Sequence, residues 1–495
     1  MALKISRDNL ELAANQLWSG LRPKISYLPK DDQELVELAF WQMVQAHGEQ
    51  RRKSGEFYIV HPVAACHILA KIGLDKDTLA ACLLHDVPED TGMSLKNLSK
   101  IFSNEIVFLI NGVTKLSVIK YKGEDRYAEN LRRMFVAMSQ DLRVIFIKLA
   151  DRLHNLHTLK YLPPDKAKRI AMESIEIYAP IAERLGIGYL RGEIEDAAFP
   201  YVYPEDYKRF ISISDLAISK REKQLEKIKK KVVQILSREG INKYNIHGRA
   251  KRYFSLFKKL REKQTLDQIF DLVALRIVTQ SLDECYQILS ILNSHFEPIP
   301  GRIKDYIAHP KPNGYQSLHT TVTDPTLSVT FEFQIRTQEM HEYAEFGVAA
   351  HWAYKSKGQK TDKFLNPENL KWISELVDLG KEKLSEQEYL KMVKLDLFQD
   401  RIFVMTPKGD VIDLPEGATA LDFAYKIHQQ IGYHAVMAKV NGYPIKLSDQ
   451  LKNGDVVEIL TDKKQKPKPD WIHWVKSIYA SKRIRIDLRK MQAEK

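Results

Sequence analysis

Cysteine is scarce in this chain: Cys66, Cys82 and Cys285 are all there are in 495 residues, each set in an apolar run. That count and spacing exclude a disulfide framework or a cysteine-based zinc site, and predict buried free thiols in a reducing cytoplasm. Missing too is any stretch of about eighteen apolar residues, so no membrane span is expected. The opening MALKISRDNLELAANQLW mixes acids into an amphipathic pattern, without the basic start and apolar core of a secretory signal. No internal repeat of about 20–50 residues is found. Neither a membrane nor DNA is expected among the partners.

What is present is a globular composition, 44% hydrophobic and 28% charged, over a length that suggests about three domains. The net charge of +12 is unevenly spread. Between Lys220 and Lys263 there are about sixteen basic residues against about four acids, which is either a solvated helix face or a site for anions.

Helical periodicity runs from about residue 31 to 199 with almost no strand-like alternation, predicting an all-helical domain over 1–200. A charged helical connector (201–237) leads to a mixed α/β domain (238–355). There IFDLVALRIVT is β-rich, and LHTTVTDPTLSVTFEFQIRT reads as two strands about an Asp324-Pro325 turn. A helical linker (356–396), a β-grasp-like module of short strands (397–462) and a basic helical tail (463–495) complete the chain. The fold class is thus multidomain, α and α+β.

In the helical domain His61, the pair His85-Asp86, and Asp151 interrupt apolar helices. Imidazole and carboxylate together suit a divalent transition metal, although a lone histidine there is more often a satisfied core residue. Glu89 and Asp90 follow the pair by four residues each, and Asp151, Asn155 and Thr158 form one helical stripe. Acids clustered among Leu, Ala and Ile would be costly to bury without a cation. The competing reading is an exposed salt-bridged face.

In the α/β domain, HGRAKRYFSLFKKL interleaves Arg249, Lys251, Arg252, Lys258 and Lys259 with aromatics and Ser255. This suits a polyphosphate beside a stacking base, or an ordinary amphipathic helix. The segment GRIKDYIAHPKPNGYQSLHT reads as a loop dense in donors: Arg302, Lys304, Lys311, Tyr315 and His319. In VTFEFQIRT, alternation puts Val329, Phe331, Phe333 and Ile335 on one face and Glu332, Gln334 and Arg336 on the other. Glu332 is either a cross-strand salt-bridge partner or, with Asp271, a Mg²⁺ ligand.

RRKSGEFYIVHP, LLHDVPEDT and KLADRLHNLHTL resemble the HD-type phosphohydrolase domain of the RelA/SpoT homologue family. The resemblance implies Mn²⁺ held by His61, His85, Asp86 and Asp151, water activation by Glu89 and Asp90, and nucleotide contacts from Arg52, Lys53, Asn155 and Thr158. His157 stands where the family usually has Arg. The α/β region resembles the family's nucleotidyltransferase-like synthetase domain. That likeness implies ATP contacts from Arg249, Lys251, Ser255 and Lys259, and Mg²⁺ on Asp271 and Glu332. It also implies guanine stacking on Tyr315, with Lys304, Lys311, Asn313 and His319 on the acceptor nucleotide. Residues 302–305, Arg-Ile-Lys-Asp, are similar to the basic form found in bifunctional members. Ala250, Arg252 and Phe254 replace the family's Pro, His and Tyr. TPKGDVIDLPEGATALDFAYKIH with NGDVVEIL resembles a TGS domain, implying ribosome or tRNA contact, with Tyr433 and His434 departing from the family's pattern.

The resemblance therefore implies a bifunctional enzyme acting on ATP, GDP or GTP, and (p)ppGpp. It would be a GTP/GDP 3′-pyrophosphokinase and a guanosine-3′,5′-bis(diphosphate) 3′-pyrophosphohydrolase, its two sites coupled through residues 200–240. The family's further C-terminal Cys-containing and ACT domains are absent from this sequence. The alternatives are a hydrolase whose synthetase domain only senses nucleotides, and a non-catalytic regulator bound to ribosome or tRNA.

Overall fold

Proline, glycine and the alternation of apolar residues account for most of the element boundaries. The computed structural model describes residues 2–117, 124–263, 273–311, 313–327, 329–352, 367–381, 385–398 and 401–493. Contacts divide the chain into two compact units, Met1–Val118 with Asp141–Asn369, and Ile119–Gln140 with Leu370–Lys495.

The first unit opens with helices, among them Lys30–His47, Val60–Ile72, Lys76–Leu84, Asn104–Ser117 and Arg143–His157. Phe40, Cys66, Cys82, Leu83, Ile145 and Phe146 are fully buried between them. Gly73 closes one helix in the left-handed conformation, and the Asp75 side chain caps the next by accepting from Thr78 N at 2.9 Å. That helix stops at Leu84, and a short helix Val87–Asp90 restarts with Pro88 in its first turn. A proline ring there would collide with the carbonyl of Leu84 in a continuous helix. His85 and Asp86 therefore sit at a break between two helices.

The helices Gly188–Val202 and Pro204–Arg238 lead into a five-stranded sheet. Its strands are β1 (Tyr244–Ala250), β2 (Val273–Thr279), β3 (Glu297–Asp305), β4 (Leu318–Asp324) and β5 (Val329–Thr337), in the order β1-β2-β5-β4-β3. β2 and β5 are parallel and the other pairs antiparallel. One face carries Leu275, Ile277, Leu318, Val322, Phe331, Phe333 and Ile335 into a core shared with Phe199, Phe254 and Phe257. Register aligns a polar row across the other face, Lys304–His319–Gln334–Arg276–His247, beside a second row Thr321–Glu332–Ala274–Arg249. Arg302 and Lys304, expected in a loop, stand on β3. That edge strand tolerates Pro298 and Pro300 because it pairs on one side only.

In the second unit, β6 (Arg401–Met405) pairs with β7 (Val411–Pro415), and β8 (Ala435–Val440) lies between β9 (Tyr443–Ile445) and β10 (Val457–Thr461). The helix Ala420–Ile427 begins in a reciprocal cap between Thr419 and Asp422. Asp422 also accepts from the backbone of Lys476 and Ser477. The basic tail is thereby drawn into the module: Trp471, Val475, Ala480 and Ile484 are buried with Val404, Phe423 and Tyr425. Residues 119–140 also belong to this unit. There Arg132 Nη1 donates to both oxygens of Glu386, at 2.9 and 3.0 Å, and its guanidinium covers the Tyr389 ring.

Within the first unit, the turn after the helix Ala179–Arg184 meets the segment following the helix Gln338–Phe346. Val348 N donates to Leu185 O at 3.0 Å, and Gly347 has φ +55° with its α-carbon against Gly186. A β-carbon on Gly347 would run into the Leu185 carbonyl. Gly347→Ala should therefore destabilise this unit by at least the about 1–3 kcal/mol of backbone strain. Thermal unfolding checks this, and an unchanged Tm would contradict the packing described.

Candidate active sites

The helix break at residues 85–86 faces two helices, Val60–Ile72 and Arg143–His157, and four side chains meet there. His61 Nε2 lies 3.4 Å from Asp86 Oδ2 and 3.2 Å from Asp151 Oδ1, and His85 Nε2 lies 3.2 Å from Asp86 Oδ1. His61, His85 and Asp151 are buried. His85 Nδ1 engages the Cys82 carbonyl at 2.7 Å, which fixes the ring proton there. Its Nε2 is buried and has no hydrogen-bond partner among the described residues. An imidazole nitrogen without a hydrogen-bond partner, beside the Asp86 carboxylate and the His61 ring, is the donor set a divalent cation takes. Tyr58 adds a further sign. Its hydroxyl lies 2.9 Å from Asp86 Oδ2 and 2.5 Å from Asp90 Oδ2, and one phenolic proton cannot serve two carboxylates.

The electrostatics agree. Burial pushes the Asp86 carboxyl up, but the His85 and His61 rings outweigh it and hold it below its ordinary range. Burial does the same to Asp151, where Lys148 Nζ at 2.8 Å and the His61 ring prevail. At Glu89 the balance falls the other way, although Lys148 and His85 act against it. Burial, and next the Asp86 charge, raise it to about 7, an affinity suited to taking a proton at neutral pH. Arg52 reaches Asn155 Oδ1 (2.8 Å) and His154 Nδ1 (3.2 Å), and Asn155 Nδ2 donates to Asp151 Oδ1 at 2.5 Å. The Thr158 hydroxyl donates to Asn155 O at 3.1 Å, one turn further on, and Lys53 is exposed at the rim. Sequence reasoning passes over Tyr58, Lys148 and His154. A tyrosine, lysine or histidine at one helical position carries no local signal until the fold brings it to a charged neighbour.

The second cluster lies on the polar face of the large sheet. Tyr315 Oη is 2.9 Å from His319 Nε2, His319 Nδ1 is 3.4 Å from Glu332 Oε1, and Gln334 Nε2 donates to the same oxygen at 2.9 Å. Lys311 Nζ stands 4.8 Å above the Tyr306 ring and 5.2 Å above Tyr315. Asn313 donates to Glu183 O at 3.3 Å. Burial, and the approach of Lys304, lower the Lys311 ammonium. Asp271 lies outside the described residues. Lys251 and Lys259 flank the first turn and body of the helix Tyr253–Lys263, with Arg249 at the end of β1.

Arginine is the feature that stands out. Arg276 Nη1 pairs with Glu345 at 2.9 Å. Among the described residues its Nε and Nη2 are buried without hydrogen-bond partners, and so are all three guanidinium nitrogens of Arg336, which is 0% exposed. Burial, and next the Arg336 and Arg249 charges, lower Arg276 to about 10. Among the described residues, the charges of Arg276, Arg249 and Arg336 all act on Glu345, an arrangement that favours a polyanionic ligand.

The replaced positions around Ala250 point elsewhere. Arg252 lies against Gly192 and pairs with Glu193 (2.7 Å) and Asp196 (3.7 Å). Phe254 packs on Phe199, and its backbone N–H donates to Asp196 at 2.9 Å. Lys258 and the Ser255 hydroxyl both face the buried Glu195, at 3.3 and 3.5 Å. The helix Gly188–Val202 therefore holds the basic helix directly, one element before the 200–240 segment that the sequence suggested.

Family comparisons match residues 39–188 to an HD domain, 248–359 to the region found in RelA/SpoT proteins, and 402–461 to a TGS domain. Three relatives show the extent of the likeness. A Synechocystis protein described as a probable guanosine-3′,5′-bis(diphosphate) 3′-pyrophosphohydrolase is 45% identical over 91% of this chain and 60% of its own. A GTP pyrophosphokinase of Myxococcus xanthus is 42% identical over 96% and 63%. The bifunctional (p)ppGpp synthase/hydrolase SpoT of Escherichia coli is 42% identical over 95% and 67%. The chain thus spans 60% to 67% of the length of these relatives.

A buried guanidinium with no hydrogen-bond partner should cost stability in the free protein. Replacing Arg336 by Met, of comparable length, is expected to stabilise the unit by about 1–4 kcal/mol while weakening the binding of a polyanionic ligand at the sheet. Thermal unfolding with and without ATP checks both parts. A lowered Tm without nucleotide would show that Arg336 supports the fold rather than a ligand.

Proposed function

The chain belongs to the RelA/SpoT family, and on that premise we propose that it makes and destroys the alarmones ppGpp and pppGpp at two separate sites. In the forward reaction the β,γ-pyrophosphate of ATP passes to the 3′-hydroxyl of GDP or GTP, leaving AMP. In the reverse direction water removes that 3′-pyrophosphate from (p)ppGpp, returning GDP or GTP. The observation that carries the proposal is the coexistence of two constellations in one unit. One is the convergence of His61, His85, Asp86 and Asp151, with a bare buried Nε2 on His85. The other is the surplus of guanidinium groups on the sheet face beside Glu332.

At the helical site, His61, His85, Asp86 and Asp151 would hold Mn²⁺, whose role is to acidify water and offset charge on the departing pyrophosphate. Glu89, already raised to about 7, accepts the proton of the attacking water. Asp90, linked to Asp86 through the Tyr58 hydroxyl, orients that water. Arg52, Lys53, Asn155 and Thr158 bind the nucleotide.

At the sheet, Asp271 and Glu332 would hold Mg²⁺, the usual companion of polyphosphate oxygens. Glu332 takes the 3′-hydroxyl proton, and Tyr315 stacks on guanine, with Lys304, Lys311, Asn313 and His319 around the acceptor nucleotide. Arg249, Lys251, Ser255 and Lys259 bind ATP. Most of the acceleration then comes from positioning and charge neutralisation. We assign the TGS module to ribosome or tRNA contact, supported by its family match and the basic tail packed into it. The buried free thiols support a cytoplasmic setting.

The decisive assay uses an Asp86→Ala variant, in which any alarmone formed survives. With ATP, GDP and Mg²⁺, anion-exchange chromatography should show AMP and ppGpp appearing in equal amounts. No product at any enzyme concentration would leave a hydrolase with a nucleotide-sensing domain. In the opposite direction, Glu89→Gln should lower the hydrolytic kcat by about 10²–10⁴-fold while leaving Mn²⁺ affinity within a few-fold. An unaffected rate would remove Glu89 from the mechanism.

A further inference from the structure

His154 lies one turn beyond the metal-type residues of its helix, and neither the sequence motifs nor the reading above gives it a task. Its Nδ1 is 2.7 Å from Nδ1 of His61 and 3.2 Å from Nη1 of Arg52. Two ring nitrogens at that distance share one proton, and distance alone does not say which ring owns it. Arg52 decides the matter. A guanidinium is donor-only and stays charged, so the His154 nitrogen that faces it presents a lone pair. The proton between the rings then belongs to His61.

The remaining bonds around Arg52 have the same polarity. Its Nη2 donates to Asn155 Oδ1 at 2.8 Å, which turns the Asn155 amide so that Nδ2 donates to Asp151 Oδ1 at 2.5 Å. Asp151 Oδ1 in turn lies 3.2 Å from His61 Nε2. The five side chains close a ring in which His61 and Asp151 are joined on the outside by hydrogen bonds, and one donor-only group sets every direction.

We propose that His154 is a positioning residue for the cation. By accepting at Nδ1 from His61 and Arg52, it keeps the His61 proton on Nδ1 and leaves His61 Nε2 bare toward Asp86 and Asp151. It does for His61 what the Cys82 carbonyl does for His85. Outer hydrogen-bond partners of ligating histidines fix tautomer and ring orientation, and their loss typically weakens metal binding by about 10–100-fold. This inference rests on the reading that the helical site takes a divalent cation.

The test compares the wild-type chain with His154→Ala and His154→Asn after chelation, titrating Mn²⁺ alone by calorimetry. The asparagine side-chain oxygen can accept where the histidine Nδ1 did. The alanine variant is expected to bind Mn²⁺ about 10–100-fold more weakly, and the asparagine variant to recover to within a few-fold of wild type. Long-range ¹H–¹⁵N spectra of the apoprotein should show His61 as the Nδ1-protonated tautomer in wild type and asparagine variant, and as a mixture in the alanine variant. Equal affinity in all three proteins would overturn the proposal. So would two variants equally weakened with equal losses of Tm, which would mark His154 as packing. A wild type that takes up no Mn²⁺ would overturn the cation reading beneath it as well.

Discussion

Asp86 and Asp151 share one His61 nitrogen, between 3.2 and 3.4 Å away, inside a helical bundle. Keeping both ionised there demands positive charge on the spot. The protein supplies part of it through Lys148, and keeps a ring nitrogen of His85 without a hydrogen-bond partner among the described residues, open to a cation for the rest. The sheet poses the same problem with the sign reversed. Arg249, Arg276 and Arg336 crowd around Glu345, and burial without a full set of partners depresses the affinity of Arg276 for its proton. On the proposed function, each site is completed in charge by what it binds, a cation at the first and a polyphosphate at the second. Preorganised imbalance of this kind costs folding stability, and it spares the site the reorganisation that a neutral pocket would need when ligand binds.

The helix Gly188–Val202 packs against Arg143–His157 of the first site and is also tied to the basic helix of the second. Glu193, Glu195 and Asp196 of the helix Gly188–Val202 take hold of Arg252, Ser255, Lys258 and the Phe254 backbone. Gly347 lets the chain after β5 press against the Leu185–Gly186 turn at the other end of that helix. A displacement of this helix is thus felt by the basic helix and by the segment following β5 together. Burial, with Glu193 and Glu195 close by, raises Asp196 to about 6, so the contact between the two helices includes a group poised between its charge states.

Much of this is visible in the linear sequence because it depends on short-range patterns. The apolar alternation of VTFEFQIRT marks the face that is buried in the sheet, and the Asp324-Pro325 turn falls between β4 and β5. The His-Asp pair and its distant partners are legible because histidine and acid at helical spacing among Leu and Ile are costly to bury unless they bind something. What escapes notice depends on register and on helix packing. Alternation cannot tell that β5 is central, so that its polar face is buried as well and Arg336 is left without hydrogen-bond partners. The start of the donor-rich segment reads as loop because Pro298, Pro300 and Gly301 disguise an edge strand, while residues 306–311 and 313–317 form the loop expected. His154 is indistinguishable from a core histidine until the fold sets it between Arg52 and His61.

The tail of the third module has a consequence for the order of events during synthesis. The family match to the TGS domain ends at residue 461, yet Trp471, Val475, Ala480 and Ile484 fill the module's interior, and Asp422 is held by backbone donors at 476 and 477. A nascent chain that has released only the strands presents an open cavity and an under-bonded buried carboxylate. Closure waits until some twenty further residues have emerged, which at the usual elongation rate of about 5–20 residues per second is a delay of about a second or more. For that interval the apolar interior later filled by Trp471, Val475, Ala480 and Ile484 stays open to solvent.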